Sequence, residues 1–116
     1  MLILFEVLNM VRQRFMRVIV MFDLPVITTE QQRAYRKYRK WLIESGFVMM
    51  QQSIYTKIVL NPTAAQFLKV QIRNQQVKEG IIQVMTITEK QYADIELIIG
   101  EAKSETLSDM RRLVVI

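Results

Sequence analysis

The chain has 116 residues, 51% of them apolar, and its sixteen lysines and arginines outnumber eleven carboxylates to give a net charge of +5. That length makes one domain with a modest core, and the positive excess favours a polyanionic partner, nucleic acid or an anionic membrane surface. Cysteine and histidine are both absent, which excludes thiolate and imidazole zinc sites, disulfides, thiol nucleophiles and histidine acid–base catalysis, and leaves carboxylates, Lys, Tyr, Ser or a hard cation such as Mg2+ to carry any chemistry.

Residues 1–15 read as an N-terminal extension, and residues 16–116 as a single domain. Met1 to Phe5 is apolar, but Glu6 interrupts it, far short of the ~20 residues that cross a bilayer. It has neither the basic start nor the small-residue cleavage site of a signal peptide. Met10 and Met16 are alternative starts. No membrane segment is expected, and a chain without cysteine fits the cytoplasm.

Met16 to Phe22 is apolar apart from Arg17 and partly β-branched, the pattern of a strand buried on both faces. Asp23 closes it, and Pro25, which has no N–H to give a ladder, stops it. Thr28 caps a helix and Gln31 completes a capping box. The helix runs to about Ser45, with Gly46 as its left-handed stop. At about 100° per residue, Ala34, Tyr35, Tyr38, Trp41, Leu42 and Ser45 share a core side. Arg33, Arg36, Lys37 and Lys40 share the opposite side, with Arg39 on the flank.

Phe47 to Met50 is a short second strand, and Gln51-Gln52 a tight connection. Ser53 to Leu60 alternates, with Ile54, Thr56, Ile58 and Leu60 on one face and Tyr55, Lys57 and Val59 on the other. Asn61-Pro62 supplies an N-cap and a proline at the first helical position. The second helix runs to about Gln76, with Ala64, Leu68, Gln71, Ile72 and Gln75 inward and Lys69 and Arg73 pointing away. Lys78-Glu79-Gly80 breaks the chain before a fourth strand, Ile81 to Thr88. Lys90 to Ile99 suits a short helix or a strand, Gly100 to Asp109 a polar loop, and Arg112 to Ile116 a last strand.

The order β-α-β-β-α-β is the split βαβ pattern of the ferredoxin-like fold, an α+β architecture, here with an extra C-terminal strand. Two helices cover one face of a four-stranded antiparallel sheet. The other face needs a cover too, since its apolar side chains would otherwise form a large exposed patch. The sheet of a second copy is the simplest cover, giving a two-fold homodimer with sheets packed face to face. Leu113, Val114, Val115 and Ile116 need an edge to pair with, in the other protomer or in a partner protein.

Five stretches in order, Met21-Phe22-Asp23-Leu24-Pro25, the helix Arg33 to Leu42, Gly46-Phe47, Gln52-Ser53-Ile54-Tyr55 and Thr86 to Tyr92, together resemble the CRISPR-associated protein 2 family, in the branch that accompanies single-effector type II systems. The resemblance covers about residues 16–116. It implies a ferredoxin-like homodimer at the centre of the spacer-integration complex, lying between two dimers of the CRISPR integrase subunit and holding double-stranded prespacer DNA across its surface. Catalysis of integration then belongs to the integrase. The resemblance also implies an alternative, a metal-dependent nuclease on RNA or DNA in which the aspartate closing the first strand, Asp23, holds Mg2+ in each protomer.

Two readings of Asp23 therefore stand: a Mg2+ ligand meeting its counterpart across the dimer axis, and a turn carboxylate accepting backbone N–H groups before Pro25. One aspartate per chain is a thin set for a cation that takes about six oxygens. The first helix has five basic residues in eight, Arg33 to Lys40, with no acid among them. A merely solvated face would interleave glutamates, so this stripe reads as a duplex phosphate surface. Lys69 and Arg73 are candidates to extend it, and Lys57, on a strand, is a weaker one. Tyr35, Tyr38 and Trp41 lie on the core side, where packing rather than base stacking is expected. An unrelated RNA-binding module is disfavoured, because Tyr55 is the only aromatic in the middle of the third strand.

Overall fold

The structure, a computed structural model, describes residues 3–4 and 15–100. In chain order the elements are β1 (Met16–Asp23), α1 (Thr29–Glu44), β2 (Val48–Gln51), β3 (Ile54–Val59), α2 (Pro62–Arg73), β4 (Ile81–Thr88) and a short α3 (Glu89–Ala93). The strands form one antiparallel sheet in the order β2-β3-β1-β4. This is the α+β, ferredoxin-like arrangement expected from the element order. The extra C-terminal strand at 112–116 lies outside the described residues, as does most of the extension at 1–15. No helix among the described residues is long and apolar enough to cross a membrane.

Local chemistry explains the element boundaries. The Thr28 hydroxyl accepts from the Gln31 N–H at 3.1 Å, while the Gln31 side-chain carbonyl accepts from the Thr28 N–H at 3.0 Å. Both orphan donors at the start of α1 are thereby satisfied. The helix ends at Ser45, and Gly46 takes φ +93°. Asn61 Oδ1 accepts from the Ala64 N–H at 2.8 Å, and Pro62 opens α2.

Register places the core. Val20 stands opposite Tyr55 and Val84, and Ile19 opposite Thr56 and Met85. Because side chains alternate along a strand, Val18, Val20 and Phe22 face one way. They pack with Tyr38 and Leu42 of α1, and with Ala65, Leu68 and Ile72 of α2. Arg17, Ile19, Met21 and Asp23 face the other way. The double burial expected of β1 holds from Arg17 to Val20.

Several boundaries and faces differ from expectation. The turn after β2 is Gln52-Ser53, with Ser53 in the left-handed region at φ +68°, because a bulge between Met49 and Gln51 consumes an extra residue. α2 stops at Arg73: the next inward positions would be glutamines, and the chain turns so that Val77 packs on the core instead. The inward alanine of α2 is Ala65, Ala64 is half-buried and Gln71 is exposed, so that face is turned by one residue from the expected one. In α1, Ala34 is exposed at the margin of the core side. The short helix expected after β4 forms as α3 but closes at Ala93, and residues 95–98 are neither helix nor strand.

Candidate nucleic-acid interface

Burial of Tyr38 and Leu42 fixes the rotation of α1, and with it the opposite surface. Arg33, Arg36, Lys37, Arg39 and Lys40 are all exposed. Lys40 lies 3.9 Å from Glu44 one turn on, a solvent-exposed pair of little energetic weight. Arg33, Arg36, Lys37 and Arg39 form no salt bridge among the described residues. The helix thus presents a row of unneutralised cations on its outer side, as its sequence suggested.

The other basic candidates divide. Arg73 is exposed in the last turn of α2, where a cation also favours the helix dipole. Lys69 is half-buried on the flank of α2, whose rotation buries Leu68 and Ile72. Lys57 donates from Nζ to the Ser45 carbonyl at 2.6 Å. It supplies the cation that the last turn of α1 itself lacks.

One basic residue was not legible in advance. A cavity of about 490 Å³ opens between the first turns of α1 and the segment before β4, with Arg33, Lys37, Lys78, Tyr38, Glu30 and Glu79 among its lining residues. Gln31 Nε2 donates to Glu79 Oε2 at 2.9 Å and ties the two walls together. Lys78 therefore joins the surface of Arg33 and Lys37, a proximity set by how the α2–β4 connection returns.

The aromatic residues of α1 pack as expected. Phe22 meets Tyr38 edge-on at 5.4 Å and Tyr35 at 5.9 Å, and Tyr38 stacks on Trp41 at 6.1 Å. The Tyr38 hydroxyl has no hydrogen-bond partner among the described residues. Burial, which disfavours the phenolate, pushes its pKa up to about 12.

Asp23 sits elsewhere. It is exposed at the end of β1, opposite Ile81 in register, and strand alternation turns it to the sheet face away from α1 and α2. Its carboxylate accepts no hydrogen bond among the described residues, so the turn-carboxylate reading finds no bond to rest on. No group of three or more acids able to hold a metal ion exists among the described residues. Among the described residues Asp23 is a lone carboxylate, so a Mg2+ held there would take its remaining oxygens from water or from another molecule. Around Asp23 the same face carries apolar side chains, with Ile58, Ile81 and Met85 exposed.

At the far end of that face Arg17 is fully buried. Its Nε donates to Glu89 Oε1 and its Nη2 to Glu89 Oε2 at 3.4 Å. Its guanidinium lies over the Tyr92 ring, 4.0 Å from the centroid. Neither Arg17 nor Glu89 stood out in the sequence, because 72 residues separate them.

Comparison with known proteins agrees with this architecture. The family model described as CRISPR associated protein Cas2 matches residues 16–95. A protein of Treponema denticola named CRISPR-associated endoribonuclease Cas2 is 52% identical over 101 residues, covering 87% of this chain and all of that relative. Relatives of the same name from Ligilactobacillus salivarius and Streptococcus mutans are 37% and 40% identical, covering 87% and 85% of this chain and 100% and 91% of their own lengths. A solved structure described as the crystal structure of cas2 superposes with a TM-score of 0.53 over 78% of this chain and 92% of its own, at 18% identity, a likeness of fold. The cation-bearing helix, the βαββαβ sheet and the aspartate closing β1 are therefore features of a chain that belongs to the CRISPR associated protein Cas2 family.

Proposed function

We propose that this chain is a homodimeric scaffold for CRISPR spacer acquisition. It bridges dimers of the integrase subunit and holds double-stranded prespacer DNA without reading its sequence. The observation that carries this reading is the exposed row Arg33, Arg36, Lys37, Arg39 and Lys40 on the outer side of α1. Regularly spaced cations on one rigid helix suit phosphates, which give affinity without sequence information. Arg73 and Lys78 add to the surface. The apolar face around Met21, Ile58, Ile81 and Met85 is the cover for a second copy, and Leu113, Val114, Val115 and Ile116 are the segment for pairing with that copy or with the integrase. A two-fold axis would double the cations available to one duplex.

A second reading is favoured by the names of the relatives, which are endoribonucleases. In it, Asp23 from each protomer holds Mg2+ at the dimer axis and the chain cleaves RNA or DNA. The single carboxylate supports it weakly.

The test is assembly. The purified chain is mixed with the cognate integrase subunit and a short DNA duplex, and the products are sized by sedimentation. The scaffold reading expects a complex containing all three, formed equally well on duplexes of unrelated sequence. Absence of any complex with the integrase would sink it.

A further inference from the structure

The cavity against the first turns of α1, about 490 Å³, is of a size that takes one small molecule. One wall is the helix face of Glu30, Arg33, Ala34, Lys37 and Tyr38. The other is Gln75, Gln76, Val77, Lys78 and Glu79, and Leu24 and Pro25 complete the lining. The walls are tied together. Gln31 Nε2 donates to Glu79 Oε2 at 2.9 Å, and Gly80 brings the segment before β4 against the backbone of Asp23 and Leu24.

The polar groups of this lining differ in whether they are already engaged. Glu79 is taken by Gln31. Arg33, Lys37 and Lys78 are exposed, and among the described residues none of them forms an ion pair, although Glu30 and Glu79 line the same cavity. Like charges held around one hollow repel, and an anion between them removes that repulsion. Tyr38 is 3% exposed, and its hydroxyl has no partner among the described residues. Leu24, Pro25 and Val77 add apolar surface, while Gln75 and Gln76 add amides that both donate and accept. Inorganic phosphate alone would leave most of this volume empty. A phosphate carrying a flat body with polar edges would use the whole lining. Arg36, Arg39 and Lys40, the rest of the cation row on α1, do not line the cavity.

We propose that this cavity is a mononucleotide site, in which Arg33, Lys37 and Lys78 hold the phosphate and the nucleoside lies against Leu24, Val77 and the amides of Gln75 and Gln76. The ligand is a single unstacked nucleotide with a terminal phosphate, free or at the end of a strand. Stacked base pairs do not fit such a hollow. The site is therefore distinct from the duplex grip of Arg36, Arg39 and Lys40, and it stands whether or not the chain is a scaffold.

Calorimetric titration of the full chain with adenosine monophosphate, adenosine and inorganic phosphate tests it. The site predicts saturable binding of the monophosphate with a dissociation constant below about 1 mM, and binding at least about tenfold weaker for adenosine and for phosphate alone. Lys78→Gln and Arg33→Gln, both at exposed positions, each raise the monophosphate constant by about tenfold. Arg36→Gln with Lys40→Gln weakens duplex binding and leaves that constant within about twofold. The site is overturned by a wild type that shows no saturable binding, by phosphate bound as tightly as the monophosphate, or by a constant that neither Lys78→Gln nor Arg33→Gln moves. A loss in the Arg36, Lys40 variant as large as in Lys78→Gln overturns it too, because the cations would then act as one diffuse field. Competition decides the source. A duplex ending in a phosphorylated single-nucleotide overhang that displaces the monophosphate better than the same duplex with blunt ends assigns the site to strand ends, and equal displacement assigns it to the free nucleotide. Monophosphate binding as described, beside a chain that forms no complex with the integrase, sinks the scaffold reading and leaves the site standing.

Discussion

A Cβ on Gly80 would lie 2.5 Å from the backbone carbonyl oxygen of Asp23. The same Cβ would meet Leu24 Cδ2 at 2.8 Å, and Gly80 takes φ +104°. Handedness and space thus both demand glycine where β4 begins, and the obstructing atom is backbone, which cannot swing aside. Gly46 has similar handedness at φ +93°, but its added Cβ would meet only the end of the Lys57 side chain, at 3.3 Å. Gly80→Ala should therefore cost about 2–4 kcal/mol, and Gly46→Ala about 1–2 kcal/mol. Urea unfolding of the two variants checks this, and equal losses would show that the approach to Asp23 is not tight.

Lys57 illustrates a cation with a structural occupation. Its bond to the Ser45 carbonyl neutralises the end of α1 from a neighbouring strand. Lys57→Met should lower stability by about 1–2 kcal/mol while leaving duplex affinity near the wild-type value. Chemical denaturation and fluorescence anisotropy on one preparation give both numbers; a selective loss of DNA binding would return Lys57 to the phosphate surface.

Tyr38 makes stability depend on alkaline pH. Below pH 10 its phenol is protonated in folded and unfolded chains alike, and its contribution is fully present. Between its ordinary value of 10.0 and the folded value of about 12, only the unfolded chain ionises. Stability is accordingly lost as pH rises through that window, by about 2–3 kcal/mol. Tyr38→Phe should remove this part of the alkaline loss, and at neutral pH should be as stable as wild type or slightly more so, because the hydroxyl it deletes has no partner among the described residues. Melting curves from pH 8 to 12 on both proteins decide it; parallel declines would contradict the assignment.

Neutralising Lys37 and Lys40 with glutamine should weaken binding to every duplex sequence to a similar degree. The slope of log affinity against log salt should flatten by about 0.9 for each phosphate that the variant no longer neutralises. An unchanged slope would mean that the α1 cations are only solvated.

The sheet and its two long helices were legible because their signals are local. Thr28 with Gln31, Gly46, and Asn61 with Pro62 mark boundaries within one turn of chain, and Ile81–Thr88 is a dense run of Ile, Val, Met and Thr. The α1 cation stripe was legible for the same reason, since one helix repeat generates it. The rest depends on distant parts of the chain. Arg17 looked like a break in an apolar strand, and only the pairing of β1 with β4 brings Glu89 to it. Lys78 joins Arg33 and Lys37 through the return path of a connection. Lys69 is half-buried because α2 turns Ala65 rather than Ala64 to the core. That Asp23 and the stripe occupy different sides of the sheet became visible only when the side covered by α1 was known.

That separation allows the decisive measurement. Integration of a prespacer into a target plasmid is followed with the purified integrase subunit and three versions of this chain: wild type, Asp23→Ala, and the triple glutamine variant at Arg36, Lys37 and Lys40. A scaffold gripping DNA through α1 predicts wild-type integration by Asp23→Ala and a drop to about one-tenth or less in the triple variant. Folded, duplex-binding Asp23→Ala protein that no longer supports integration, beside a triple variant that does, would contradict it.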